Sequence, residues 1–98
     1  ITTVEAGSFV YIGWEPQALP AHRMIDVSDA YSGSLDAAKA LHDALLPGWG
    51  WETGVNATFA SISQVWKTGR GRAISATAEI PARAWLLAIL RAYRETQP

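Results

Sequence analysis

A chain of 98 residues makes one domain, spanning 1–98, and can bury a single core without disulfides or a structural metal. It has no cysteine, which excludes thiol catalysis, disulfide scaffolding and cysteine zinc sites and fits a cytoplasmic protein. A net charge of -1 gives no global pull toward nucleic acid or acidic membranes, and 49% hydrophobic against 17% charged residues argues against disorder.

In chain order, residues 1–7 read as a frayed lead-in, and Ser8–Trp14 (SFVYIGW), dense in β-branched and aromatic residues, reads as a strand. Glu15–Arg23 holds two prolines and reads as an extended connection, Met24–Val27 as a short strand, and Ser28–Gly33 as a turn cluster. Ser34 is an N-cap for a helix over about 34–46, with Leu35, Ala38, Leu41 and Leu45 as its buried stripe and Lys39 and Asp43 as an i,i+4 pair. Pro47 and Gly48 stop it. Trp49 and Trp51, two apart, then share one face of a strand and are expected to meet that stripe. Gly54–Ala57 reads as a turn, and Thr58–Lys67 as a strand, although Phe59, Ile62 and Trp66 also fit a helical repeat. Thr68–Gly71 is a hairpin turn, Arg72–Ala78 the returning strand, and Pro81 the first-turn residue of a helix over about 81–95. That helix buries Ala82, Trp85, Leu86, Ile89 and Tyr93. The fold class is therefore α+β: a small antiparallel sheet of 3–5 strands, the later three in a meander, covered by two helices. No apolar run approaches the ~20 residues of a membrane span, so no membrane role is expected.

Chemistry-bearing residues are scattered. His22 and His42 lack any metal-ligand spacing, so a surface or half-buried helix position is the reading for His42. The carboxylates Asp26, Asp29, Asp36, Asp43, Glu52 and Glu79 are not forced together, no G-x-S-x-G elbow is present, and the glycine-rich stretches match no phosphate fingerprint. The Asn56–Thr58 sequon is a chance match without secretory context. The expectation is a non-enzyme without metal or cofactor. Two surfaces remain. Trp14, at a strand end before Pro16, could form a protein-binding hot spot with Tyr11 and Tyr31, on a strand serving as an exposed edge or dimer seam. Lys67, Arg70 and Arg72 crowd a hairpin tip beside Trp66 and could hold a nucleotide or nucleic-acid backbone, although a solvated hairpin explains them more simply. Arg83 and Arg94 would extend this basic surface if the last helix faces the same way.

Tyr31–Leu41 (YSGSLDAAKAL) and Leu46–Trp51 (LPGWGW) resemble a pattern of small phage and prophage proteins, in which Y-T-x-S-L/I-D-A-A leads into a helix followed by V/L-P-x-G-W-x-W. Pro81–Ala92 (PARAWLLAILRA) resembles their closing helix, A-T-P-A-L-A-L-x-x-A-L-L-K/R-A. The resemblance covers about residues 31–92 and departs at Ile80, in place of Thr, and at Arg83, in place of an apolar residue. It is to phage proteins described as having an ABA-sandwich domain, whose biochemical role is unassigned. It implies an accessory protein in the cytoplasm of a bacterial host that binds a host or phage protein, for instance to inhibit host defence. It carries over no catalytic residue. Nucleic-acid binding through the basic tip is the alternative.

Overall fold

The computed structural model describes residues 2–4, 9–12, 15–55, 60–67, 69 and 73–96, with residues up to 17 and residue 21 described by backbone alone. Their order is β1 (Thr2–Val4), β2 (Phe9–Ile12), β3 (Glu15–Ala18), a 3-10 turn (Ala21–Arg23), α1 (Met24–Tyr31), α2 (Leu35–Leu45), β4 (Trp49–Val55), β5 (Ser61–Lys67), β6 (Ala73–Ala78) and α3 (Pro81–Thr96). Two antiparallel sheets form, ordered β1-β2-β3 and β4-β5-β6. This is an α+β fold, with the later three strands in a meander.

Helix α2 starts and stops where its sequence signals lie. Ser34 is extended (φ −80°, ψ 111°) and its Oγ accepts from the Ala37 N–H at 3.0 Å. At the other end Gly48 takes φ 83°, and the Trp49 N–H donates to the Leu46 carbonyl at 3.1 Å as the strand begins. Lys39 and Asp43 pair at 2.6 Å on the solvent side, an exposed contact worth about 0.3–0.5 kcal/mol. One member of the expected stripe is misplaced: Leu35 is 47% exposed. At 3.6 residues per turn it lies roughly a quarter-turn from the centre of the arc formed by Ala38, Leu41 and Leu45.

The segment expected to be a strand followed by a turn is helix α1. Met24–Val27 supplies its first half, and the chain stays helical through Tyr31 before turning at Ser32 and Gly33. The β-branched residues suggest a strand, but Val27 and Ala30 stand three apart and are both buried, and that packing decides the conformation. The Arg23 side chain makes no capping bond, and an eight-residue helix is held by tertiary contacts rather than by its own propensity. Three further expectations change: Gly54 and Val55, read as part of a turn, pair in β4 with Ile62 and Ser61. Residues 2–4 pair as β1 with β2, and Glu15–Ala18, read as connection, pairs as β3.

The α1–α2 corner leaves no carbonyl of the last turn of α1 unpaired. Ser28 O accepts from Ser32 N at 3.0 Å, Asp29 O from Ser34 N at 2.9 Å and Ala30 O from Gly33 N at 3.0 Å. The last two bonds are a Schellman pair, and Gly33 sits at φ 118°, where a Cβ would be strained. Ser34 thus closes one helix with its N–H and opens the next with its hydroxyl. The fourth carbonyl, of Tyr31, accepts from Arg83 Nε on α3 at 2.6 Å, and the Arg83 guanidinium lies 4.2 Å from the centre of the Tyr31 ring. A cation here also complements the negative end of α1. Arg83→Ala is expected to cost about 1–2 kcal/mol by losing one charge-assisted bond and the ring contact. Arg83→Lys should recover only part of that, because a lysine cannot offer the planar fork. Urea denaturation followed by circular dichroism would read both.

Helix α3 lies directly on β5 and β6, and α1 and α2 close over its far side. It is therefore buried around much of its circumference. Beyond the expected Ala82, Trp85, Leu86 and Ile89, it buries Ala84, Ala88, Leu90 and Ala92. Ala84, Ala88 and Ala92 recur every fourth residue, and small residues also face the core from the sheet at Ser61, Ser63 and Ala76. Small side chains let the layers approach closely. The Ser63 hydroxyl is buried there without a hydrogen-bond partner among the described residues.

Candidate functional site

The sheet register sorts the tryptophans. Trp51 stands opposite Val65 and Thr53 opposite Ser63, so Trp49, Trp51, Thr53 and Val55 share the helix-facing side of β4. Gly50 stands opposite Trp66 on the other side. A Cβ at Gly50 would fall 2.4 Å from Trp66 Cε2, so glycine is needed there for the indole to lie across the strand. Gly50→Ala is expected to displace that ring and cost about 1–3 kcal/mol, seen as a lower urea midpoint.

On the helix-facing side, Trp51 stacks on Trp85 of α3, with ring centroids 4.2 Å apart and planes at 26°. The Trp85 Nε1–H donates to His42 Nδ1 at 3.3 Å, and the two rings are tilted at 54°. His42 Nε2 lies 3.0 Å from the Trp49 carbonyl oxygen. A carbonyl only accepts and an indole N–H only donates, so the imidazole is neutral, protonated on Nε2 and open at Nδ1. His42 is 1% exposed. It is neither a surface residue nor half-buried; it joins α2, the start of β4 and α3. Among the described residues no group of three His, Cys, Asp or Glu could hold a metal ion.

This chain of rings reaches the surface at one place. Trp51 is 39% exposed and Val55 64% exposed, on one face of β4. Among the described residues β4 pairs only with β5 and is one of the two outer strands of its sheet. One edge of the sheet therefore combines unpaired backbone groups with two apolar side chains four residues apart. The sequence did signal part of this, since the first strand of a meander is an outer strand. Alternation places Trp51 on the face that meets the helices, but a shared face is not a covered one at the outermost strand.

Of the residues singled out earlier for protein or anion binding, Tyr31 and Lys67 are the ones whose side chains are described. Tyr31 is 39% exposed but is engaged by Arg83 through both its carbonyl and its ring. Tyr11 lies on β2, whose backbone pairs with β1 on one side and β3 on the other, so that strand is not an open edge. The Tyr11 side chain and all of Trp14 lie outside the described residues. Lys67 is exposed at the end of β5, and Arg70 and Arg72 lie outside the described residues.

No family model, no curated protein and no solved structure matches the chain. No helix among the described residues is long and apolar enough to cross a membrane. The class defined by these features is structural: an α+β domain whose antiparallel meander carries, among the described residues, an open and partly apolar outer strand.

Proposed function

We propose that this chain is a non-enzymatic accessory protein of phage type that binds a host or phage protein within a bacterial cell, with the outer edge of β4 as the binding surface. The observation that carries the reading is the pair Trp51 and Val55, exposed on one face of an outer strand. An extended segment of a partner can add to such an edge through its backbone, with apolar side chains at alternate positions set against Trp51 and Val55. Trp51 suits this role because its stack on Trp85 fixes the ring before binding, so little side-chain entropy is lost on association. The phage assignment, and inhibition of host defence as the consequence of binding, rest on the resemblance over residues 31–92.

The test is capture of a partner from bacterial lysate, compared between two equally conservative surface changes. Val55→Lys alters the edge, and Ile25→Lys alters an exposed position on α1. Both should fold, with stability within about 0.5 kcal/mol of the parent. The expected result is that Val55→Lys loses the partner and Ile25→Lys keeps it. Equal retention by the two variants would sink the edge. A solution mass of two chains that falls to one in Val55→Lys would make the partner a second copy of the chain.

A further inference from the structure

We propose that the end of the molecule where β5 stops and β6 starts is a second, independent site, for single-stranded nucleic acid. Only Glu79 and Ile80 separate β6 from α3, so the helix begins at the Ala78 end of the strand. Arg91 Nη1 donates to the Ser75 carbonyl of β6 at 3.2 Å, so α3 runs back along β6 and ends near its first residues. Lys67 is the last residue of β5, and its neighbour Trp66 pairs with Ala73, the first residue of β6. Lys67, Arg91 and Arg94 therefore converge on one end of the domain. Lys67 and Arg91 are exposed and Arg94 is half-buried.

The charge distribution supports the site. Residues 61–78 contain no Asp or Glu, and residues 91–98 contain only Glu95. Asp43, near the α2 end that leads into β4, is already paired with Lys39. The chain is acidic overall at -1, so this end is basic while the remainder is more acidic than the total suggests. The dipole of α3 accounts for a cation in its last turn. It does not account for Lys67 on the strand, nor for the part of the exposed Arg91 guanidinium that the Ser75 bond leaves at solvent. Trp66, half-buried across Gly50, offers an indole at the same end of the sheet, on the face opposite α3. Cations for phosphates and an indole for a base are what an unpaired strand requires; a duplex would hide its bases.

The experiment is a fluorescence-anisotropy titration of the full chain with a labelled 20-mer of oligothymidylate, at 50 and 200 mM salt. Three phosphate contacts predict an affinity lower by about 20-fold at the higher salt. Lys67→Gln and Lys39→Gln remove the same charge from different places. Lys67→Gln combined with Arg94→Gln should weaken binding by about tenfold or more, with Lys39→Gln near the parent. Equal weakening by Lys67→Gln and Lys39→Gln would reduce the effect to net charge and overturn the site. Trp66→Leu should weaken oligothymidylate while leaving heparin unchanged, its fold verified by circular dichroism. Should heparin or acidic vesicles bind as tightly as the oligonucleotide, with Trp66→Leu indifferent, the nucleic-acid assignment falls.

Discussion

Trp85→Ala is expected to remove about 3–5 kcal/mol of stability, a large fraction of the about 5–15 kcal/mol that native proteins hold in total. The size of the loss follows from how many layers meet at one side chain. Trp85 is buried on α3, stacks on Trp51 of β4 and donates its indole N–H to His42 of α2. Deleting the ring opens a cavity that an alanine-rich helix between two rigid layers cannot collapse to fill. Trp85→Phe keeps an aromatic surface for Trp51 and loses the N–H, so its cost should be about 1–2 kcal/mol. The difference between the two variants separates packing from the hydrogen bond. Urea denaturation by far-ultraviolet circular dichroism measures both. A Trp85→Ala variant within about 1 kcal/mol of the parent would show that the three layers do not depend on this joint.

How much of this was legible depends on what kind of signal each residue sends. Helices α2 and α3 carry local punctuation, with Ser34 before the first, Pro47 and Gly48 after it, and Pro81 at the start of the second. Such signals act through the backbone of the same few residues, so they survive without knowledge of the fold. Helix α1 carries a stop, Gly33, but no capping side chain at its start. Its β-branched Ile25 and Val27 favour a strand locally, and burial of Val27 and Ala30 against neighbouring helices makes the segment helical. The Schellman corner was half legible. Y-S-G-S announces a turn, but the bond from Arg83 to Tyr31 O spans 52 residues and sends no local signal. That bond also explains why a charged residue occupies this position of α3. The exposed part of β4 was hidden for a related reason. Alternation tells which face of a strand looks toward the helices, but not whether a helix extends far enough to cover its outermost strand. Of the cations at the basic end, Lys67 was visible in the sequence. The arrival of Arg91 and Arg94 at the same end needed the direction of α3.

His42→Leu is expected to be the second most damaging change, at about 2–3 kcal/mol, although leucine fills a similar volume and suits a helix better. Histidine at this position is defined by two bonds of opposite sense. Its Nε2–H donates to the Trp49 carbonyl at 3.0 Å while Nδ1 accepts from the Trp85 indole at 3.3 Å. Leucine supplies neither, and removes the acceptor of the Trp85 N–H in a site closed to water. Glutamine carries both a carbonyl and an amide N–H, so His42→Gln should recover roughly half of the loss, limited by the freedom of its longer side chain. The near-ultraviolet circular dichroism of the tryptophans gives a second readout, because the bond to Nδ1 sets the orientation of Trp85 and hence of the stack with Trp51. The signal should fall in His42→Leu under conditions where the far-ultraviolet spectrum still reports a folded chain, and return in His42→Gln. Loss of stability with an unchanged near-ultraviolet spectrum would mean that Trp51 is held by β4 alone. Loss of both would place the exposed edge under the control of a histidine that never reaches the surface. In that case partner capture should weaken in His42→Leu although Trp51 and Val55 are themselves untouched, because a ring no longer held in place must pay the entropy of ordering when it binds.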